Sequence, residues 1–572
     1  MPHKILVIEP PFIEPGIPYP DIHRITKVLQ NHGALANAFD INARLYRQVL
    51  NHISTEDNSD LLIDCLKKSF FIDEAHESNN SIVRNSFQHE NGKNNTKFGK
   101  LLSQSLSLFS GNSINVDHNH YVNSQECLNG FLDYMVKKTD PNSTLWLNHY
   151  ENEVNFHRSQ DVLEYAQNPN NGLRRLYKTY LSSDVSKLDY DFVLIVIRNQ
   201  TQQLPGMVLS AWLKDEYDYH ITLTGEHLDK ILSLSCPSGI FDICDEIIAY
   251  KIDYSADFWL MDAKHPFIIN DGSVDYPEFS PSVKNVTILP GIIPLVDTSE
   301  YITPFPVMGA SVSYRCYWSN CSFCSLADEK KYPSRRLKDE EIYNGLISLK
   351  NNGISHIQFM DYALPPALIK NFMNLKDLDI YWAAQLRFEN TFSAGNIFSD
   401  LFDGGCTLLS WGFESGSRNV LDSINKGGIL NQVKRAEILK KSADSGILNH
   451  LFVIAGLPGE TESDFIETVN FINNNQDYIH GLEVYPYQFT PHTLFFNTLE
   501  KNRDMNSNKE DWSLDVPFRG PSETELIEER AQSIQKTFGF INERSKTNDF
   551  IEGHLTLKRS HFNTSNIHEV AI

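Results

Sequence analysis

The apolar positions of this chain fall into short buried runs separated by helical stretches. Lys4-Ile5-Leu6-Val7-Ile8-Glu9 is a continuous apolar run closed by Pro10-Pro11, which cannot extend a central strand. Pro15, Pro18 and Pro20 keep the next loop extended. Ile22 to Phe39 reads as a helix, with Ile25, Val28, Leu29 and Leu35 on one side, and a second strand ends at Asp40-Ile41-Asn42. The alternation resumes with a strand at Tyr190 to Ile197, a helix from Pro205 to Lys214 and a strand from Tyr219 to Leu223 that ends at Thr224-Gly225-Glu226. Phe241 to Ala249 reads as the next strand. Strand, helix, strand in this order predicts a Rossmann-like parallel α/β domain, whose ligands sit beyond the carboxyl ends of strands. The loops Pro10 to Pro20, Arg198 to Gln203 and Thr224 to His227 are the expected lining of its crevice.

The pattern loses its regularity between about Ala43 and Asp184. Helical periodicity survives at Asp60 to Phe71 and Cys127 to Val136, while Asn79 to Lys97 is rich in Asn and reads as a loop. This region, about 43–184, is expected to be a helical insertion, with Cys65 and Cys127 as buried apolar groups inside it. Downstream, strands are expected at Ala310 to Arg315, Ser355 to Met360 (ending at Asp361), Ile380 to Gln385 (ending near Arg387) and Thr407 to Gly412 (running into Phe413-Glu414-Ser415-Gly416). Two more follow at Leu451 to Ala455, running into Gly456-Leu457-Pro458-Gly459-Glu460-Thr461, and at Leu482 to Tyr487. Helical segments such as Lys338 to Asn351 and Asn431 to Ser445 lie between them. Repeated βα units predict a partial (β/α)6 barrel with its chemistry at the C-terminal strand ends. A capping box at Pro521 to Glu525 opens a tail helix with Ile527, Ala531, Ile534 and Phe538 on one face, placed either over the open barrel end or against the barrel wall. The expected division is 1–300, 301–495 and a helical segment at 496–572.

Composition narrows the function. The 572 residues carry a net charge of −23, which disfavours broad nucleic-acid binding and anionic membrane surfaces. No apolar run reaches the length of a membrane span, and the first residues lack the pattern of a secretory signal. Eight cysteines in a chain of this length suggest a reducing, cytoplasmic setting and no disulfide framework.

Three of those cysteines fall within nine residues, as Cys316-x4-Cys321-x2-Cys324. Thiolates this close are soft ligands for an iron–sulfur cluster or zinc. A closed structural zinc site needs a fourth Cys or His at finger spacing, and none is near. A four-iron cluster on three thiolates keeps one iron open to an outside ligand.

The cysteine loop, with Phe323 just before its last cysteine, resembles that of the radical S-adenosylmethionine (SAM) enzymes. One residue more separates its first two cysteines than in the common C-x3-C-x2-C spacing. The later order of a strand ending in Asp361, a strand ending in Arg387, Gly-Phe-Glu-Ser-Gly and Gly-Leu-Pro-Gly-Glu-Thr resembles the members that carry an N-terminal cobalamin-binding domain. The resemblance implies a 4Fe-4S cluster on Cys316, Cys321 and Cys324, which binds S-adenosylmethionine and cleaves it to a 5′-deoxyadenosyl radical. It also implies an external electron donor of the flavodoxin or ferredoxin type, and a small-molecule or peptide substrate such as a natural-product intermediate. Asp361 is expected to meet the ammonium of the sulfonium ligand, Arg387 its carboxylate and Glu414 its ribose. Phe323 and Ser415 complete that cofactor-binding set, and Gly412, Gly416 and Gly456 are expected to let backbone approach the adenosyl part. Thr224-Gly225 stands where many relatives have Gly-Gly beside cobalamin, and the histidine signature of cobalt ligation is absent. Two outcomes stay open on the sequence: methylation through bound cobalamin, or another radical reaction beside a domain that keeps only the fold. A non-catalytic iron–sulfur or zinc protein is the third reading, disfavoured by the motifs at several strand ends.

Overall fold

The computed structural model describes residues 3–31, 33–52, 60–69, 94–111, 118–147, 149–247, 297–313, 316–326, 336–393, 395–427, 430–488, 493–495, 510–514 and 521–545. Apolar β1 (Lys4–Glu9) is followed by a helix at Pro20–Asn31 and by β2 (Leu35–Asp40). A short antiparallel hairpin, β3 (Thr144–Trp146) and β4 (His149–Glu151), precedes β5 (Phe192–Val196), β6 (His220–Thr224) and β7 (Glu246–Ile247). The long strands form one sheet in the order β2-β1-β5-β6-β7, all parallel. Buried on both faces, β5 reads as Phe-Val-Leu-Ile-Val without alternation, as a central parallel strand must. Strand order reverses between β1 and β5, which makes their C-terminal ends the crevice of this sheet.

Helices Asp60–Ser69, Asn94–Leu108 and His118–Thr139 pack together in the inserted region, with Cys65, Leu66, Cys127 and Phe131 in the core of the first sheet. Burial pushes the thiols of Cys65 and Cys127 up to about 12, so both behave as apolar groups.

Six parallel strands form the second sheet: β8 (Val307–Ala310), β9 (His356–Phe359), β10 (Tyr381–Leu386), β11 (Cys406–Glu414), β12 (Leu448–Ala455) and β13 (Gly481–Pro486). Alternate residues divide between two faces. Leu409, Trp411, Phe413, Leu451, Val453 and Val484 join the core under the helices. Ser410, Gly412, Glu414, His450, Phe452, Glu483 and Tyr485 therefore point to the concave side. The N-terminal layer of that side is closed by Val307, Ala383, Leu408 and Leu448 with Ile302 and Phe305, in continuity with the first core.

Several boundaries differ from expectation. The helix expected over Ile22 to Phe39 stops at Asn31, because Gly33 at φ +90° turns the chain into β2; Leu35 is exposed on that strand. The strand expected at Ala310 to Arg315 lies earlier, at Val307–Ala310. A Cβ on Gly309 would come within 2.8 Å of the Pro18 carbonyl, so the loop from the first sheet, not local propensity, fixes β8. Phe241 to Ala249 holds the end of a 3₁₀ turn (Ser238–Asp242) and the two-residue β7, with 248–249 outside the described residues. Most of the Asn-rich stretch also lies outside them, and its end, from Asn94, is helical. The tail helix Pro521–Phe538 packs on the barrel wall, where Ala531, Ile534 and Phe538 enter the outer core beside Val484. No helix among the described residues is long and apolar enough to cross a membrane.

Candidate active site

Cys316, Cys321 and Cys324 stand on the loop after β8. Asp361, at the end of β9, accepts hydrogen bonds from the Val312 and Ser313 amides and the Ser313 hydroxyl, at 2.5–3.2 Å. Both its oxygens are thus engaged in holding the start of the cysteine loop. Burial raises its pKa against those bonds. Asp361, expected to meet the ligand ammonium, is engaged by the cysteine loop itself.

The far side of the loop is tied to residues 424–427. Ser322 N donates to the Ile424 carbonyl at 2.9 Å, Asn425 Nδ2 to Ser322 Oγ at 2.7 Å and Trp318 Nε1 to the Asn425 carbonyl at 2.8 Å. Gly427, at φ +62°, leaves room for Trp318: a Cβ there would lie 1.8 Å from the indole. Phe323 is partly buried and packs against the apolar cluster of Ile424, Leu457 and Tyr487, which anchors the loop.

Above the loop lies a buried group of charges. Arg387 stacks over Trp318 at 4.5 Å and near Tyr317 at 5.5 Å, and its Nη2 donates to the carbonyls of Lys426 and Gly427. Its Nε and Nη1 are buried without a hydrogen bond, the latter 3.7 Å from Glu389. Glu414 sits at φ +58° where β11 bulges against β12, and Lys426 Nζ donates to its Oε1 at 2.5 Å. Burial lowers the Lys426 pKa, but Glu414 overrides that and holds the ammonium charged. Burial raises the Cys321 thiol, and Lys426 is the first charge opposing that rise. Cys324, also raised by burial, reaches about 12, with Cys321 and Cys316 adding to the rise. Among the described residues no three His, Cys, Asp or Glu groups close around a single metal ion.

The expected glycines serve packing. A Cβ on Gly412 would meet Lys426 Nζ at 2.8 Å and Glu414 Oε1 at 2.9 Å, so this glycine admits the ion pair. Gly416 abuts the Glu467 carbonyl, and Gly456, at φ +77°, abuts Ile527. Ser415 is fully buried against Thr468. Glu460 accepts from Gly456 N and pairs with Arg530 at 2.9 Å, while Thr461 and Asp464 form the cap of the following helix. Lys426 was not singled out in the sequence. Its signal was a lone basic residue before Gly427-Gly428, which has no meaning until the loop folds against Cys321.

In the first sheet, Glu9 at the end of β1 is fully buried and accepts from Arg198 at 3.0 and 3.2 Å and from Gln202 at 2.5 Å. Desolvation outweighs Arg198 and raises Glu9 to about 7. Its Oε2 and the Thr224 hydroxyl are buried at the crevice without a hydrogen bond, which leaves polar capacity for a ligand. Gly225, at φ +131°, has a different reason: a Cβ would stand 2.0 Å from the Ile197 carbonyl. A separate cavity of about 600 Å³ lies beside β2, lined by His23, Thr26, Asp40 and Arg44 among others, and does not reach the cysteine loop.

Residues 311–472 match the radical SAM superfamily. Over 200 residues the chain is 26% identical to an uncharacterised protein, MJ1620, of Methanocaldococcus jannaschii, covering 31% of this chain and 39% of that one. Over 220 residues it is 27% identical to an uncharacterised methyltransferase, PH0819, of Pyrococcus horikoshii, covering 37% and 47%. The chain thus spans less than half the length of these curated relatives. Its fold is similar to that of the radical S-adenosylmethionine methyltransferase TsrM from Kitasatospora setae, solved with cobalamin and a 4Fe-4S cluster bound. That likeness has a TM-score of 0.50 at 10% identity and covers 93% of this chain and 89% of that one. Residues 311–472 thus carry the radical SAM match, and the fold over most of the chain, with a parallel α/β domain ahead of the barrel, is similar to that of TsrM.

Proposed function

We propose that the protein is a radical SAM enzyme whose 4Fe-4S cluster is held by Cys316, Cys321 and Cys324. The observation that carries this reading is the radical SAM match over residues 311–472, which spans all three cysteines, with the buried Lys426–Glu414 pair and the unpartnered Nε and Nη1 of Arg387 at the neighbouring strand ends as support. Cys316, Cys321 and Cys324 would hold the cluster, which when bound and reduced would supply the one electron needed to split S-adenosylmethionine into methionine and a 5′-deoxyadenosyl radical able to take a hydrogen atom from the substrate. The chain's own contribution is binding and orientation. Arg387 and Lys426 offer cationic donors to the ligand carboxylate, and Glu414 offers an acceptor to its ammonium or ribose hydroxyls. Asp361 keeps the cysteine loop in place, and the apolar packing of Phe323 shields its far side from water.

Methyl transfer is the finer reading. It is favoured by the TsrM-like fold over most of the chain and by the unpartnered Thr224 and Glu9 oxygens at the β1–β5–β6 crevice. Cobalamin bound there would supply the methyl group, with Thr224, Glu9 and the 198–202 turn as its nearest polar groups. Anaerobic reconstitution with iron, sulfide and hydroxocobalamin tests both levels. Iron near four per chain with 5′-deoxyadenosine release is expected, and Ala at any of the three cysteines should abolish that release. Retained cleavage in those variants would overturn the cluster assignment. Iron without stoichiometric cobalt would overturn methylation and favour a different radical outcome.

A further inference from the structure

The concave face of β11 to β13 carries a second polar cluster, away from the cysteine loop. His450 lies in register with Ser410 on β11, and Phe452 with Glu483 on β13. Tyr485 donates its hydroxyl to Glu483 Oε2, while Glu483 Oε1 lies 3.5 Å from His450 Nε2. That nitrogen is buried and makes no hydrogen bond. Gly481 opens the space for the imidazole, since a Cβ there would come 3.0 Å from the ring, and the Phe452 ring lies tilted against it at 5.1 Å. Burial lowers the pKa of His450 despite Glu483, so the imidazole does not neutralise the carboxylate. Among the described residues no Lys or Arg pairs with Glu483. The group is open: Glu483 is 39% exposed at its side chain and Tyr485 50% overall, and Phe452 is half-buried.

A carboxylate without a fixed cation, a neutral imidazole and two aromatic faces form the surroundings in which a protonated amine is bound, by charge-assisted hydrogen bonds and by attraction to the rings. From this juxtaposition we propose that Glu483, His450, Phe452 and Tyr485 form the substrate subsite of the barrel, and that the substrate presents a primary ammonium group, as an amino acid or an amine-bearing natural-product intermediate does. The inference rests on the radical SAM reading, which makes the concave face the reaction chamber. Tyr485 orients the carboxylate, and the floor of Val307, Ala383, Leu408 and Leu448 stops the substrate from entering deeper.

Phenethylamine and its neutral counterpart 2-phenylethanol are the probes, with binding to the anaerobically reconstituted chain read by saturation-transfer NMR at pH 7.5. The amine is expected to bind at least about 10-fold more tightly than the alcohol. Glu483→Gln should remove that preference while the alcohol affinity stays within about twofold. Tyr485→Phe, at a half-exposed position where folding is not at stake, should weaken the amine alone. Equal binding of the two probes, no amine binding, or an unchanged preference in Glu483→Gln would overturn the proposal. Cleavage of S-adenosylmethionine, measured on the same samples, separates the two readings. Amine preference without cleavage defeats the proposed function and leaves this subsite standing, whereas cleavage without amine preference does the reverse.

Discussion

At the scale of single residues, Lys426 and Gly427 show how much of the site depends on folded neighbours. Lys426 holds Glu414 across the mouth of β11 and is the first charge opposing the rise of the Cys321 pKa. Lys426→Ala removes a charged donor from the proposed ligand site, an expected loss of about 1.5–3 kcal/mol, or roughly 10- to 100-fold in affinity. Anaerobic titration with S-adenosylmethionine should register it; unchanged affinity would exclude Lys426 from the ligand site. At Gly427 an alanine combines a strained φ of +62° with a clash into Trp318. Gly427→Ala should cost about 1–3 kcal/mol in denaturant unfolding and reduce the iron retained per chain. The sequence exposed the three cysteines, Arg387 and Glu414 by spacing and by place at strand ends. It gave no sign that Asp361 would be engaged by the Val312 and Ser313 amides and the Ser313 hydroxyl, because backbone donors have no sequence signature.

At the scale of elements, the helix after β6 carries a titratable group with a clear pH consequence. His227 is buried beside Gln203, at 2.7 Å, and burial lowers its pKa to about 3, with Lys230 and His157 acting in the same direction. Above pH 6.5 the imidazole is neutral in both folded and unfolded chains and costs nothing. As pH falls from 6.5 toward 3, the unfolded chain takes up a proton that the folded chain refuses, so stability is lost on the acid side. His227→Gln should flatten the fall by up to about 1.4 kcal/mol per pH unit, as read from urea unfolding between pH 4 and 7. An identical slope in the variant would show that another group controls this range. Strands were legible where both faces are buried, as in β1 and β5, since continuous apolar runs have few alternative fates. The strand β8 starts three residues earlier than expected because Pro304 and Pro306 precede it and Gly309 interrupts it. Its pairing is set by the Pro18 loop that packs on it.

At the scale of the whole molecule, the chain crosses back on itself. Residues 510–514 return to the first sheet, where Asp511 accepts from Ser159 N and Oγ and Trp512 is buried, its Nε1 donating to the Ser235 carbonyl at 2.9 Å. The following helix packs on β12 and β13, with Arg530 paired to Glu460. Trp512→Ala should cost about 3–5 kcal/mol and speed proteolysis of the tail; full resistance to both would mean that the return segment contributes no stability. By itself the sequence determined the alternation of strands and helices, the two parallel sheets and the three thiols on one short loop, because periodicity and spacing are local properties. Only the tertiary structure decided that Lys426 stands by Cys321, that Asp361 holds the loop, that the glycines relieve packing contacts, and that Glu483 and Tyr485 share a concave face with His450. Each of these joins residues tens of positions apart, and the reason they meet is the closure of strands around a common core, which no local pattern encodes.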